Sequence, residues 1–298
     1  MRHWLRTFEI YDCHSHVYGP FPKFPLSADR TFDPPESPIE ALEAVWKSCK
    51  ITRAVLIQGS AYGNDHRALL DGISRDPYRR RGVAILSDPV SHEELENLHG
   101  AGIRAVRFNW IKHLHRNRGE SIASVLDSAS SLCHRVFRLG WHVEVHVEPP
   151  SLEMLEKLDV PREQFVVIDH MARVDGSLGL NQPAFKQLCK LLERDNFWVK
   201  LSGADRVASC GASLSAAVPF VSSLAKEFSD RCVWGLDWPH VNLTKRHEDF
   251  PLLEIFYQAV PDDQVKKRIL SVNPARLYGF CSNELGVTPH GGLEGARN

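Results

Sequence analysis

The sequence predicts a single (β/α)8 barrel, and three observations carry this prediction. Apolar, β-rich runs alternate with helical patterns through eight rounds within 298 residues, with no long linker or break in composition. Eight such units are what one closed barrel of ~250 residues requires. The Gly-x-Gly-x-x-Gly loop of a dinucleotide-binding sheet is missing from the sequence. A closed barrel is therefore favoured over an open doubly wound sheet.

Eight short runs rich in β-branched and aromatic residues are the strand candidates. In chain order they are 9–17, 53–60, 81–88, 103–110, 141–148, 165–171, 197–204 and 231–238. Helical patterns lie between them, among them 120–139, 182–195 and 215–228. Two helix starts carry a capping box, in which glutamate follows a serine hydroxyl by three residues. These are Ser37 with Glu40 and Ser91 with Glu94.

The chain is predicted to be one domain with a tail. Residues 1–281 form the barrel, and residues 282–298 are a polar, glycine-rich tail that is expected to be mobile. Residues 18–36, rich in proline and aromatic residues, form a long loop after the first strand. Loops of this length in a compact domain are often active-site lids. We expect this one to cover the mouth of the barrel.

Composition argues against several classes of partner. Lys plus Arg (36) nearly balances Asp plus Glu (37), so no basic surface for nucleic acid or anionic membrane is indicated. The N-terminal stretch lacks a signal-peptide core, and no run of ~18 apolar residues could span a bilayer. The seven cysteines include no Cys-x-x-Cys pair, which fits neither a disulfide framework nor a thiolate zinc site. A cytoplasmic monomer or homodimer that binds a small molecule is predicted.

Polar side chains lie late in the predicted strands, where the active site of a (β/α)8 barrel is built. The period of two places His14 and His16 on one face of the first strand. Later strands end in Arg107 and Asn109, in Glu144, His146 and Glu148, in Asp169 and His170, in Lys200 and Ser202, and in Asp237 with His240 just beyond. A hydrophobic barrel interior does not tolerate so many charges unless they are paired or hydrated. We therefore place them at the open end.

Any one of these residues is more often a structural hydrogen-bonding group than a functional one. Strands one, six and eight, however, together supply His14, His16, His170 and Asp237. Their coincidence at one end of a barrel indicates a reactive site. Glu144, His146 and Lys200 stay undecided, because buried ion pairs would explain them equally well.

At these residues the sequence resembles the amidohydrolase superfamily, and within it the amidohydrolase-2 family and its 2-pyrone-4,6-dicarboxylate lactonases. The superfamily pattern is His-x-His after strand one, His after strand five or six, and Asp after strand eight. The resembling stretches are DCHSHVYGP (12–20), DRTFDPP (29–35), GIRAVRFN (102–109), DHMAR (169–173), VKLSGADR (199–206) and WGLDWPH (234–240). They run from the first strand to the eighth, so the resemblance covers nearly the whole chain.

The resemblance implies a hydrolase that opens a carboxylated lactone to its hydroxy or enol acid and needs no divalent metal or other cofactor. Asp237 would be the general base that takes a proton from the attacking water. His14, His16 and His170 would polarise the lactone carbonyl and stabilise the oxyanion. The substrate-binding residues would be Arg107, Arg173, Arg206, Ser60, His146, His240 and Tyr18. Arginine suits substrate carboxylates because its guanidinium binds them in a bidentate fork.

Two other interpretations stay open. His14, His16 and Asp237 could instead hold a single Zn²⁺ that generates hydroxide, in a lactonase or a decarboxylase. A two-metal centre is disfavoured, because the fourth strand ends in Arg107-Phe108-Asn109 and lacks the bridging carboxylated lysine that such sites in the superfamily use. A non-catalytic binding barrel is disfavoured because the carboxylate and all three histidines are present.

Two departures from the pyrone lactonase pattern concern the substrate. His113 stands where a further arginine is expected, and Phe32 stands where a tyrosine is expected. A guanidinium that would bind carboxylate and a phenol hydroxyl are both replaced. Either Lys112 or Tyr18 helps to hold the acid, or the substrate is another carboxylated lactone, such as a substituted muconolactone or a sugar-acid lactone.

Overall fold

The computed structural model of the protein describes residues 8–86, 89–111, 121–208, 213–243 and 249–280. Eight strands form one sheet in chain order, and each strand pairs in parallel with the next. The strands are β1 Ile10–Ser15, β2 Ile51–Ile57, β3 Arg80–Ala84, β4 Ile103–Trp110, β5 His142–Val147, β6 Val166–Ile168, β7 Phe197–Lys200 and β8 Cys232–Val233. All eight predicted strands are present, and the (β/α)8 barrel is confirmed.

Residues that follow β8 close the barrel against β1. The Cys13 N–H donates to the carbonyl of Trp234 at 2.9 Å, and the Asp237 N–H donates to the carbonyl of His14 at 2.6 Å. The His16 N–H then donates to the carbonyl of Trp238 at 2.8 Å. The last segment therefore meets the first strand backbone to backbone, and this contact carries Asp237 to the His14–His16 end of β1.

Helices alternate with the strands and cover the outside of the barrel. They are α1 Ile39–Cys49, α2 Arg67–Ser74, α3 His92–Gly100, α4 Ile122–Phe137, α5 Leu152–Lys157, α6 Pro183–Leu192, α7 Ala204–Val207, α8 Val218–Glu227, α9 Asp249–Ala259, α10 Asp263–Lys267 and α11 Asn273–Tyr278. A π-helical turn, Arg268–Val272, joins the last two, and single 3₁₀ turns occur at Ser60–Tyr62, Pro149–Ser151, Asp169–Arg173, Gly176–Leu178, Leu214–Ala217 and Ser229–Arg231. In the described part of the chain, no helix has the length and apolar character that crossing a membrane requires.

One of the two predicted serine hydroxyl caps is confirmed. The Ser91 Oγ accepts from the Glu94 N–H at 3.0 Å and caps α3. The prediction at Ser37 is wrong, because α1 begins at Ile39 with Pro38 at the N-cap position. Ser37 is one residue too early to cap; its hydroxyl donates to the carbonyl of Pro35 at 3.1 Å.

The barrel interior changes from apolar to polar along its axis. Its lower part is packed with Tyr11, Cys13, Val55, Ile57, Val83, Ala105, Val167, Trp198 and Val233, and α11 closes it with Leu277 and Tyr278. The described cysteines are free thiols, and only Cys189 among them is not buried. Above this packing, the carboxyl ends of the strands carry fully buried charged groups. Such groups must find partners within the barrel.

The loop after β1 lies beside this polar end. Its two ends are tied together, because the backbone of Tyr18 and that of Ser37 exchange two hydrogen bonds of 2.9 and 2.6 Å. Within the loop, Phe24 packs with Tyr18, with Tyr62 after β2 and with Val241 after β8. The predicted tail, 282–298, lies outside the described residues.

Candidate active site

Three imidazoles converge on one carboxylate oxygen at the carboxyl ends of the strands. The Oδ1 atom of Asp237 lies 3.7 Å from His14 Nε2, 3.8 Å from His16 Nε2 and 3.8 Å from His170 Nε2. All four side chains are buried. Neither Asp237 Oδ1 nor His14 Nε2 has a hydrogen-bond partner among the described residues. Buried polar atoms without partners are rare, and here two of them lie 3.7 Å apart, so both are available to a bound molecule or ion.

Unusual backbone geometry orients the side chains of Asp237 and His170. Asp237 has a φ of 65°, and residues 170–173 form a left-handed turn with φ between 51° and 55°. Non-glycine residues rarely adopt such angles, and the strain is held in place by surrounding structure. Gly203 permits the turn, because a Cβ at that position would lie 2.9 Å from the Cβ of His170. The turn begins just after β6, which ends at Ile168, three residues before its predicted end; β8 ends at Val233, five residues before its predicted end.

Asp237 is a buried carboxylate with one occupied and one free oxygen. The Arg206 Nε–H donates to Asp237 Oδ2 at 2.5 Å, which leaves Oδ1 directed at the imidazoles. Burial raises the pKa of Asp237 above its usual value, and the charge of Arg206 opposes this effect. A carboxylate with a raised pKa is a stronger proton acceptor, so Oδ1 has the properties of a general base.

The imidazoles facing Asp237 are neutral, and each ring nitrogen that points away from Asp237 contacts the protein. Burial lowers the pKa of His16 to about 3 and lowers the pKa of His14 and His170 well below the usual value. The Nδ1 of His16 lies 3.0 Å from the carbonyl oxygen of Ile57, and the Nδ1 of His170 lies 2.9 Å from the Ser202 hydroxyl. These contacts fix the orientation of both rings.

A buried ion-pair network lies directly beneath His14. Lys200 Nζ is 2.5 Å from Glu144 Oε2, 3.1 Å from His14 Nδ1 and 3.3 Å from Asp169 Oδ1. The Tyr278 hydroxyl donates to Glu144 at 2.7 Å. Lys200 and Glu144, which the sequence leaves between structural and functional roles, are thus an ion pair that also touches a site histidine.

The three predicted substrate-binding arginines differ in what they already contact. Arg107 donates through Nε to Asp169 at 2.8 Å, and Arg206 is held by Asp237. Arg173 has a buried Nη1 atom without a hydrogen-bond partner among the described residues. Burial, and next the nearby charge of Arg206, lower the pKa of Arg173. A negative charge beside Arg173 would favour its charged form against both effects.

His146 is a further buried group with unpartnered polar atoms. Both of its ring nitrogens lack partners among the described residues, and its ring centroid lies 5.0 Å from that of His170. Tyr18 packs at the other side of the site, with its ring 6.0 Å from that of His16. Phe32 contacts Tyr18 edge to face at 6.4 Å, so an apolar ring occupies the position where tyrosine was expected.

The sequence also predicts a substrate contact for Ser60 and connects Lys112 and His113 with the choice of substrate. Ser60 begins the short turn after β2 and is half-buried. Lys112 and His113, which bear on the substrate prediction, lie outside the described residues.

His240 has carboxylates at both ring nitrogens. Its Nδ1 lies 3.1 Å from Asp205 in α7, and its Nε2 lies 2.8 Å from Asp249 at the start of α9. Its backbone N–H also donates to the Asp237 carbonyl. Although the resemblance suggested a substrate contact, Nε2 is hydrogen-bonded to Asp249 and Nδ1 faces Asp205 as an ion pair without hydrogen-bond geometry, so His240 ties the Asp237 segment to two helices. Sequence reasoning missed Asp205 and Asp249 because neither ends a strand.

The stability of the protein is expected to fall as pH rises through the pKa of His240. Burial alone would lower this pKa, but the contacts to Asp205 and Asp249 outweigh it and raise the pKa from 6.5 to about 9. A raised pKa stabilises the fold fully below pH 6.5, and this contribution is lost as pH passes about 9. The free energy of unfolding measured in denaturant should lose up to about 3 kcal/mol over that window.

Substitution separates this effect from other titrations. His240→Gln should flatten the pH dependence, whereas His92→Gln, at an exposed position in α3, should keep the wild-type slope. A His240→Gln protein with the wild-type slope would show that another group is responsible.

The site also has donor atoms spaced for a metal ion. His14, His16 and Asp237 each offer one ligand atom, and these atoms all lie within 4.8 Å of one another. Two of these atoms, His14 Nε2 and Asp237 Oδ1, are unpartnered nitrogen and oxygen donors of the kind that zinc binds, so the three residues would hold one divalent ion. The end of β4 carries Arg107 and Asn109, without a lysine to bridge a second ion.

A (β/α)8 barrel that gathers imidazoles and a carboxylate at its strand ends has the architecture of a barrel hydrolase. The chain belongs to the amidohydrolase-2 family, whose model, described as amidohydrolase, matches residues 11–280. The predicted family and enzyme class are therefore confirmed.

Relatives from several bacteria are similar over most of their length. A 4-sulfomuconolactone hydrolase from Rhizobium radiobacter is 33% identical over 272 residues, covering 90% of this chain and 89% of that protein. A 2-pyrone-4,6-dicarboxylate hydrolase from Comamonas testosteroni is 33% identical over 277 residues, with the same coverage, 90% and 89%. A crystal structure of a probable 2-pyrone-4,6-dicarboxylic acid hydrolase from Acinetobacter baumannii with citric acid bound has a TM-score of 0.75 at 26% identity, over 92% of this chain and 100% of that one.

Proposed function

We propose that this protein hydrolyses an anionic lactone of the pyrone or muconolactone type. The observation that carries the proposal is the free Oδ1 of Asp237, which faces three neutral imidazoles at 3.7–3.8 Å. Ester hydrolysis needs a base beside water and polar groups where negative charge develops. The names of the two 33% identical relatives, a sulfomuconolactone hydrolase and a pyrone dicarboxylate hydrolase, support a lactone that carries acidic groups.

The first step is attack by water. Asp237 Oδ1 takes one proton from a water molecule as the water oxygen bonds to the lactone carbonyl carbon. His16 donates through Nδ1 to the Ile57 carbonyl, so its neutral ring presents a lone pair at Nε2. That lone pair can accept the second water proton in a hydrogen bond and orient the water. This role differs from the carbonyl-polarising role that the resemblance implies for His16.

The second step is collapse of the tetrahedral intermediate. His14 and His170 face the position of the carbonyl oxygen and stabilise the oxyanion. When the carbonyl re-forms, the bond from its carbon to the ring oxygen breaks. The leaving oxygen takes the proton from Asp237, which restores the carboxylate. The net reaction adds one water and yields a hydroxy acid or its keto form.

Arg173 is proposed to bind the acidic group of the substrate. Arg173→Met should raise KM for an anionic lactone by roughly 10-fold or more, because a charge-assisted hydrogen bond of about 1.5–3 kcal/mol is lost. KM for a neutral lactone should change little. Steady-state kinetics on a matched pair of lactones, with and without a carboxylate, measures the difference.

Two control variants show whether the effect of Arg173→Met is specific to anion binding. Arg162→Met, at an exposed arginine before β6, should behave as wild type with both lactones. Arg206→Met should lower turnover of both lactones, because Arg206 holds Asp237 at 2.5 Å. If Arg173→Met weakens the neutral and anionic lactones equally, Arg173 is not an anion-binding residue.

A mononuclear zinc hydrolase is the second candidate, and the spacing of the His14, His16 and Asp237 ligand atoms favours it. These residues would hold the ion, which would supply a hydroxide by lowering the pKa of its bound water. Arg173 would bind the substrate in the same way in this version.

The deciding experiment is a screen of lactones with free carboxylate or sulfonate groups. Turnover is followed by loss of the lactone absorbance, before and after chelation, together with metal analysis of the purified protein. Full activity in metal-free protein supports the proposal. If chelated protein is inactive and zinc restores its activity, the metal-free mechanism is wrong. If no lactone is turned over either before or after chelation, the proposed substrate class is wrong.

A further inference from the structure

We propose that Lys200 is a positioning residue that sets the proton of His14 on Nε2, so that His14 and His16 have opposite tautomers. His14 then presents an N–H donor to the reacting molecule, while His16 presents a lone pair. The use of that donor at a lactone carbonyl rests on the proposed function. The tautomers themselves follow from contacts within the protein.

The tautomer of His16 follows from its backbone contact. Its Nδ1 lies 3.0 Å from the carbonyl oxygen of Ile57, at the end of β2. A carbonyl oxygen can only accept, so Nδ1 must carry the proton. In the neutral ring, Nε2 is therefore the unprotonated nitrogen, and it faces Asp237 Oδ1 at 3.8 Å.

The tautomer of His14 follows from Lys200. The Nζ atom, fully buried, lies between two carboxylates, at 2.5 Å from Glu144 and 3.3 Å from Asp169. An ammonium has three donors and no lone pair, and apart from Glu144 the hydrogen-bond contact of Nζ is His14 Nδ1 at 3.1 Å. His14 Nδ1 must accept, so the proton of the neutral ring lies on Nε2.

A competing contact exists, and geometry disfavours it. His14 Nδ1 is also 3.5 Å from Asp169 Oδ1, and a proton on Nδ1 could point there. That arrangement would place an N–H 3.1 Å from the Lys200 ammonium, with two donors facing each other. The shorter contact, to Lys200, therefore decides the tautomer.

With opposite tautomers, the neighbouring rings of His14 and His16 have different roles: one donates a hydrogen bond and the other accepts one. His14 Nε2–H lies 3.7 Å from Asp237 Oδ1, so it can donate to the carbonyl oxygen of a lactone whose carbonyl carbon is attacked by the water at Asp237. His16 can accept a proton of the water that Asp237 deprotonates. A divalent ion would instead require a lone pair from both rings. His14 could supply one only by moving its proton to Nδ1, against Lys200.

Histidine ring ¹⁵N NMR on the metal-free protein reads the tautomers directly. In ¹⁵N-histidine-labelled protein near neutral pH, His14 should show a protonated Nε2 and His16 a protonated Nδ1. Resonances are assigned with His14→Gln and His16→Gln. A protonated Nδ1 on His14 in the wild-type protein overturns the proposal.

Removing the Lys200 donor tests the cause. Lys200→Met should move the His14 proton to Nδ1, toward Asp169, whereas His16, held by Ile57, should not change and serves as the internal control. The double variant Lys200→Met/Glu144→Gln avoids an unpaired Glu144 carboxylate if the single variant does not fold. An unchanged His14 tautomer in the folded variant means that Lys200 does not set it.

Zinc affinity gives an independent readout. Titration of zinc alone into the metal-free proteins by calorimetry should show at least ~10-fold tighter binding to the Lys200 variant than to wild type, because the His14 lone pair becomes available. Equal affinity contradicts the proposal. If the tautomers are as predicted but no lactone is turned over, the proposed function is wrong and this inference stands. If a lactone is turned over but His14 is protonated on Nδ1, this inference is wrong and the proposed function stands.

Discussion

Replacing Asp237 by asparagine is expected to lower kcat for the lactone at least ~10²-fold while the barrel stays folded. The amide cannot accept the water proton, and its NH₂ group competes with water for the His16 lone pair. The amide oxygen can still accept from Arg206, which bonds Asp237 at 2.5 Å, so the local structure keeps its main contact. Steady-state kinetics give the loss, and a circular dichroism melt gives the fold.

A matched control is available at an exposed aspartate. Asp230, in the turn before β8, is 69% exposed and lies 3.9 Å from Arg231. Asp230→Asn makes the same chemical change outside the site and should leave kcat unchanged. Normal turnover in folded Asp237→Asn protein would remove Asp237 from the role of base. Turnover lost together with the fold would instead be tested again with Asp237→Glu, which keeps the carboxylate.

The barrel and the place of the site could be predicted because both depend on periodic features of the sequence. Alternating apolar runs identify strands, and the carboxyl ends of parallel strands meet at one end of the barrel. His14 and His16 follow this rule on β1. Asp237 is predicted at this end because it falls within the strand candidate 231–238. It lies beyond β8 in the structure, but the residues after Val233 continue along β1 through backbone hydrogen bonds, so the placement holds.

The partners of each site residue could not be predicted, because they depend on contacts between distant parts of the chain. Lys200 and His14 are 186 residues apart, and nothing in either local sequence indicates that they touch. The left-handed turn from His170 to Arg173 contains no glycine, so the usual signal for positive φ is missing. It is this turn that brings His170 toward Asp237.

The same limitation applies to the arginines. The sequence places three arginines near the strand ends, but it does not show which of them already form ion pairs with carboxylates. Arg107 and Arg206 are held by site carboxylates, and Arg173 keeps a free nitrogen among the described residues. This difference matters for the choice of variant, because substitution of a paired arginine disturbs its partner carboxylate as well as substrate binding.

Gly235→Ala is expected to be the most damaging small substitution in the barrel. A Cβ at this position would lie 2.6 Å from the backbone nitrogen of His14 and 2.7 Å from its Cβ. Backbone atoms cannot move aside as the end of a flexible side chain can, so β1 and the segment after β8 must separate. We expect the free energy of unfolding to fall by about 3 kcal/mol or more, since overpacking and strained hydrogen bonds add together.

Turnover should fall in the same variant, because Asp237 lies two residues after Gly235 and its N–H bonds the His14 carbonyl at 2.6 Å. Gly100→Ala is the matched control: Gly100 ends α3, and a Cβ there would meet nothing within 4 Å. That change should be neutral or stabilise the protein by up to about 1 kcal/mol. Wild-type stability and turnover in Gly235→Ala would show that the two segments can separate without cost. The close approach of their backbones would then not be what holds Asp237 against the imidazoles.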